Sequence, residues 1–309
     1  MGNTQPTNKT GRKVVQQKLE NAKKTNILSL CEHKLESLPL SIFQITSLKT
    51  LDVSNNELTS LTSSSSFNNN NNSSATTSIK NIDTFQQLKS LNCENNNLGP
   101  GSLESITNLS KLQILKASNN MLGFSSIPNK KGGKFQKKNK NITTNTMPSL
   151  PTKLPSSLKQ ITLNKNGFEG GIPPSILSSS LLSLEKLDLS SNSINLVPKE
   201  ISNLQNLSDL KLDENFITSL PEDMGMLRKL KTLSLKHNQI KASGKVQTLP
   251  SELFTDTILA SLDLYGNPIT STQINDFLGF DKFLERRQKV KTKDLYGGAM
   301  TNLDVCGLE

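Results

Sequence analysis

The chain has no tryptophan, two tyrosines and only 4% aromatic residues, and 33% hydrophobic content is low for 309 residues built around one ordinary core. That scarcity argues against a thick, ring-filled interior. It favours thin layers of Leu and Ile in which each unit buries its apolar face only against its neighbours. Cysteine is as sparse. Cys31, Cys93 and Cys306 are odd in number and lack any CxxC spacing, so neither a disulfide framework nor a zinc site is indicated. No run of about 18 apolar residues occurs, and the first residues lack the apolar centre of a secretory signal. The expectation is a reduced, cytoplasmic protein in which sequons such as Asn141-Ile142-Thr143 carry no glycan.

Chemistry-bearing constellations are also missing. The two histidines, His33 and His237, stand too far apart in the repeat order to share a metal or a catalytic triad. No phosphate-cradling or dinucleotide-binding glycine pattern is present, and Lys131-Gly132-Gly133-Lys134 has the composition of a loop. The sequence therefore predicts no enzyme activity, no cofactor and no metal.

What the chain does have is positive charge, unevenly placed. Residues 1–24 hold six basic and one acidic residue, 130–140 six and none, and 281–293 six and two. These segments hold more than the whole net charge of +10. The intervening body is mildly acidic.

It also has a repeat. The segments LKTLDVSNNEL (48–58), LKSLNCENNNL (88–98), LQILKASNNML (112–122), LEKLDLSSNSI (184–194), LSDLKLDENFI (207–217) and LKTLSLKHNQI (230–240) share LxxLxLxxNxL. Weaker copies are TNILSLCEHKL (25–35), LKQITLNKNGF (158–168) and LASLDLYGNPI (259–269), which makes nine. The Asn position runs His33, Asn56, Asn96, Asn120, Asn166, Asn192, Asn215, Asn238, Asn267, with a basic step of 23. Two long steps, of 40 and 46, contain a Ser/Asn tract at 62–78 and a Lys-rich tract at 124–147. Both tracts are predicted to be disordered loops, because neither can bury enough apolar area to offset its ordering entropy.

The spacing predicts a structure. Alternation in a short strand sends LxL pairs such as Leu187/Leu189 and Leu210/Leu212 into the core and the residues between them to solvent. The Asn ends each strand, where its amide pairs with backbone groups left open by the turn, and stacked copies form a ladder. Return legs begin with Leu38-Pro39, Val197-Pro198 and Leu220-Pro221, so they are predicted to be irregular or short helical turns. Nine such coils at 25–270 imply an α/β repeat, a horseshoe-like solenoid with a concave parallel β-sheet. Val14, Val15, Lys18, Leu19 and Ala22 predict an N-terminal capping helix within 1–24. Ile274, Phe277, Leu278, Phe280, Phe283 and Leu284 predict a C-terminal cap at 271–293, followed by a tail at 294–309.

These units, with their Leu-Pro return legs, resemble the intracellular leucine-rich repeat family over residues 25–270. The ends sharpen the likeness: MGN, ENAKKTNILSLCEHKLESLP, GNPIT and GFDKFLERRQKVK resemble a small member whose N-terminal glycine carries myristate. The resemblance implies a scaffold and a lipid anchor. It names no partner.

The outward strand residues are where a partner protein is expected to bind. Lys186, Asp188, Asp209, Lys211, Asp213, Lys236, Asp263 and Tyr265 form the most charged group and include the face's aromatic ring. Gly2 is the expected lipidation site, although the acylation pattern wants Ser or Thr where this chain has Pro6. One myristoyl chain binds marginally, so Lys9, Arg12, Lys13, Lys18, Lys23 and Lys24 are expected to add attraction to an anionic membrane surface. The alternative is nucleic-acid or anionic-surface binding through the Lys-rich insertion and tails. Against nucleic acid, the insertion offers Phe135 as its one stacking ring. The protein is expected to be a monomer.

Overall fold

The computed structural model describes residues 9–63, 79–124, 149–242, 248–295 and 306–308. Gly2, most of the two insertions and most of the C-terminal tail lie outside them. The chain divides into two compact units, 1–155 and 156–309.

In the first unit, helix α1 (Lys9–Thr25) packs on the first coil and buries Leu19 and Ala22. Strands β1 (Ile27–Ser29), β2 (Thr50–Asp52), β3 (Ser90–Asn92) and β4 (Ile114–Lys116) follow. They pair in parallel and in register, Leu28 with Leu51, Leu51 with Leu91, Leu91 with Leu115. The second unit carries β5 (Gln160–Thr162), β7 (Lys186–Asp188), β9 (Asp209–Lys211), β10 (Thr232–Ser234) and β11 (Ser261–Asp263) in one parallel sheet. A small second sheet joins β6 (Glu169–Gly171) to β8 (Ser193–Leu196).

Each coil closes as its Leu and Pro spacing requires. Pro39, Pro198 and Pro221 stand extended ahead of single 3-10 turns at Leu40–Gln44, Lys199–Asn203 and Glu222–Met226. Pro250 does the same for α2 (Ser251–Thr255). A proline there loses no needed donor, and its fixed φ suits the entry to a turn. The turns bury Ile42, Ile201 and Met224, while the LxL pairs bury the strand side.

Asparagines hold the coils in place. Asn215 donates to the Leu189, Leu212 and Asp213 carbonyls at 3.1, 3.1 and 3.0 Å and accepts the Ile194 N–H at 3.0 Å. Asn56, Asn96, Asn120, Asn192 and Asn238 donate in the same pattern, to their own coil and the one before. Each bond satisfies a backbone group that the turn buries away from water.

The residue before each ladder Asn was not foreseen as special. Asn55, Asn95, Asn119, Lys165, Ser191, Glu214 and His237 all take φ between 51 and 57°, and Gly266 fills the position in the last coil. Asn55, Asn95 and Asn119 also form a second, outer ladder, each amide donating to the previous one at 2.8 Å.

Closely packed return legs leave little room. A Cβ on Gly225 would stand 2.5 Å from Glu252 Cβ and 3.1 Å from its carbonyl oxygen, so α2 itself would have to move. Gly225→Ala is therefore expected to lose about 1–3 kcal/mol despite alanine's better turn-forming entropy. A urea midpoint lower than wild type at unchanged slope checks this.

The ends of the stack differ in part from expectation. α3 (Ser271–Asn275) starts with a capping box between Thr270 and Gln273, and α4 (Phe280–Leu295) runs two residues past the cap boundary at 293. Ile274, Phe277, Phe280 and Phe283 are buried, but Leu278 is 70% exposed because the chain turns at Gly279, φ 82°. Leu284 is half-buried, and Val14 on α1 is also exposed. Phe254 of α2 meets Phe280 edge-on at 5.4 Å, and Phe280 stacks on Phe283 at 5.3 Å. Arg286 ties the cap to the last coils, its Nε donating to the Leu259 carbonyl at 3.0 Å and Nη2 to that of Phe254. Burial lowers its pKa from the ordinary arginine value.

Candidate functional site

The five-stranded parallel sheet of the second unit brings the predicted residues onto one face. Register aligns Lys186 with Asp209, and Asp188 with Lys211, Ser234 and Asp263. Asp213, Lys236 and Tyr265 continue the same face beyond the strand ends. Lys186, Lys211 and Tyr265 are exposed, while the four aspartates and Lys236 are half-buried. Ser234, which stands between Leu233 and Leu235 where alternation predicts exposure, is buried, because its hydroxyl turns back to donate to Asp213 Oδ1.

Asp188, Asp213 and Asp263 hold the sheet's own backbone. Asp188 Oδ1 accepts the Ser190 N–H at 3.0 Å, and Asp263 Oδ1 accepts the Tyr265 N–H at 3.1 Å. These are Asx turns, which end the strand at a fixed place. Asp52 and Asn92 do the same work in the first unit. Asp213 accepts the Lys236 N–H at 2.8 Å, and Asp209 accepts the Ser208 hydroxyl at 2.6 Å.

The cations differ among themselves. Lys236 Nζ reaches Asp263 at 3.0 Å, and the hydrogen bond to Asp263 holds its ammonium above the usual lysine pKa. Lys186 and Lys211 form no ion pair among the described residues. Beside them, Tyr265 meets His237 edge-on at 5.2 Å with 52% of its surface exposed. A Cβ on Gly266 would stand 2.3 Å from His237 Nδ1, so this corner accepts only glycine at φ 73°. The face thus offers two free ammonium groups and a braced aromatic ring to whatever docks on it.

Comparison with known proteins matches residues 182–240 and 47–70 to leucine-rich repeat families. The chain carries leucine-rich repeats. No curated protein sequence matches it significantly. Among solved structures, a leucine-rich repeat protein of Leptospira interrogans is similar at 27% identity and a TM-score of 0.50, over 79% of this chain and 55% of that one. An internalin of Listeria monocytogenes is similar at 16% identity and TM-score 0.55, over 85% and 61%. The leucine-rich repeat protein FLRT2, solved in an octameric complex with latrophilin 3 and Unc5D, is similar at 17% and 0.59, over 84% and 67%. The chain therefore spans less than two thirds of the Leptospira and Listeria proteins. The last two likenesses concern the fold alone.

Within the leucine-rich repeat frame the remaining reactive side chains have structural surroundings. Cys93 fills a core leucine position, and burial raises its thiol pKa well above the ordinary value. Cys31 is half-buried. His33 sits with Nδ1 against the Cys31 carbonyl at 2.5 Å, and its backbone N–H donates to Asn56 Oδ1 at 2.9 Å. Among the described residues no group of three or more His, Cys, Asp and Glu side chains is placed to hold a metal ion. Among them, too, no helix is long and apolar enough to cross a membrane.

The tail assigned to 294–309 holds a contact that the sequence did not announce. The Cys306 carbonyl accepts the Leu264 N–H at 2.8 Å, taking the place that the next coil would occupy beyond β11. Burial pushes the Cys306 thiol up to about 12. Gly307 lies against Asp263 and Tyr265. Cys306 thus extends the backbone ladder of the leucine-rich repeats by one bond, at the residue just past β11.

Proposed function

We propose that the chain is a non-catalytic scaffold that binds a partner protein on the strand face of its second unit. The observation that carries this reading is the contrast on that face: the four aspartates are occupied by neighbouring N–H, hydroxyl or ammonium groups, while Lys186, Lys211 and the ring of Tyr265 stand exposed to an acidic or aromatic-rich partner. The FLRT2 neighbour, solved within a protein complex, supports an interaction role for such a fold. Affinity capture from a cell lysate on the full chain tests it. A protein retained by wild type and by Lys199→Glu, but lost at least tenfold by the Lys186→Glu/Lys211→Glu double variant, is the expected result. Equal capture by all three would reject the strand face as the contact.

The ends resemble those of leucine-rich repeat-containing protein 57, and the same proposal includes that protein's intracellular setting and lipid anchor. Acylated Gly2, reinforced by Lys9, Arg12, Lys13, Lys18, Lys23 and Lys24, would hold the chain at a cytoplasmic leaflet. Gly2→Ala is expected to move the protein from the membrane to the soluble fraction, and identical fractionation would refute the anchor. The alternative, nucleic-acid or anionic-surface binding through the Lys-rich insertion, falls on residues outside those described.

A further inference from the structure

A groove of about 630 Å³ runs across the entry ends of the strands in the second unit, away from the strand face. Two rows of side chains line it. The first row consists of the residues immediately ahead of β5, β7, β9 and β10, namely Lys159, Glu185, Ser208 and Lys231. Their backbones are pinned coil to coil: the Lys159 carbonyl accepts the Glu185 N–H at 2.8 Å, that of Glu185 accepts Ser208 N–H at 2.8 Å, and that of Ser208 accepts Lys231 N–H at 2.9 Å. The row therefore keeps the sheet's spacing of about 4.8 Å per coil.

The second row is braced as well. Lys229 donates to Asn206 Oδ1, and Asn206 in turn donates to the Leu182 carbonyl. At the two ends of this row stand apolar side chains open to water, Leu182 at 55% and Ile258 at 47% exposure. Three coil steps separate them, about 14 Å.

Charge selects the occupant. Lys159 is partnered by Glu185 at 3.4 Å, Lys229 holds only a neutral amide, and Lys231 has no ion pair among the described residues. Between Leu182 and Ile258 the lining is neutral at Asn206 and Ser208 and cationic at Lys229 and Lys231, which share the coil next to Ile258. An extended peptide rises about 3.3 Å per residue, so side chains four apart span about 13 Å and point the same way. We propose that this groove binds an extended acidic protein segment with apolar side chains at positions i and i+4 and a carboxylate at i+2, facing Lys229 and Lys231. A nucleic acid fits less well, because its phosphates would meet Glu185 and leave both apolar ends uncovered.

The site is distinct from the strand face and stands or falls separately. The test pans a random dodecapeptide phage library on the full chain and measures a fluorescent synthetic copy of the leading clone by anisotropy. Clones with the apolar, acidic, apolar spacing are expected to be enriched. Their affinity is expected to fall at least tenfold with Lys229→Glu/Lys231→Glu, at least threefold with the milder Lys231→Gln, and severalfold with Leu182→Ser/Ile258→Ser. Lys211→Glu on the strand face should leave it unchanged. Unchanged melting temperatures establish that these exposed substitutions leave the fold intact. Absence of acidic enrichment, indifference to the groove variants, or tighter capture of a single-stranded oligonucleotide by the same lysines would each overturn the proposal.

Discussion

Asn215→Ala is expected to lower stability by about 3–4 kcal/mol, which is large against a typical total of about 5–15. The amide serves four backbone groups in two successive coils, and the residue is only 3% exposed. An alanine leaves the Ile194 N–H and three carbonyls to find other partners where water does not reach. Each buried group left without one costs about 1–3 kcal/mol, offset in part because a carbonyl has a second lone pair in use. The half-buried Asn267 of the last coil gives the comparison: its alanine variant should lose about half as much, since solvent can replace what is removed. Urea unfolding followed by far-ultraviolet circular dichroism measures both. Equal, small losses at the two positions would mean that the ladder is decorative.

The second large effect is expected at the C-terminal cap. Phe283→Ala should lose about 3–5 kcal/mol, the range for removing a fully buried ring. Phe283 is buried completely, stacks on Phe280 and meets Phe254 at a centroid distance of 6.2 Å, so its loss opens a cavity bordered by two more rings. A cap defect also propagates, because the last coil then presents its apolar face to water and the coils next to it lose their neighbour. Leu278→Ala, two residues before α4 begins and exposed, is the control and should change stability by less than about 0.5 kcal/mol. Thermal melts read by calorimetry distinguish the two.

Much of this structure was legible in the sequence because the repeat fixes three things at once. The LxL pairs set the inward direction, the Asn sets the strand end, and Pro sets the start of the return leg. Pairing in register, Leu187 with Leu210 and Leu210 with Leu233, follows from those marks alone. Asp188, Lys211 and Asp263 were legible for the same reason, each standing between two core leucines, although Ser234 in the same position is buried.

The rest left weaker marks. The position ahead of each ladder Asn is occupied by Asn, Lys, Ser, Glu, His or Gly, so its left-handed backbone is imposed by the turn and not announced by residue type. Only the asparagines and Gly266 hinted at it. Cys306 replaces a whole coil with one carbonyl, and the residues around it carry no LxL pair to advertise that. Asp188 and Asp263 looked like docking charges because their spacing shows exposure, whereas their role in Asx turns depends on where the following N–H points. The basic groove is built from Lys159, Glu185 and Lys231, which stand in separate coils and become neighbours only once the register is known.

The strand face as the partner-contacting surface is tested most directly by site-specific photo-crosslinking. A benzophenone amino acid placed at Lys211 on the sheet and, separately, at Glu200 on a return leg would be irradiated in cells. A discrete protein adduct from position 211, absent from position 200, is the expected result. Adducts from position 200 alone, or the same products from both, would contradict a partner held on the strands.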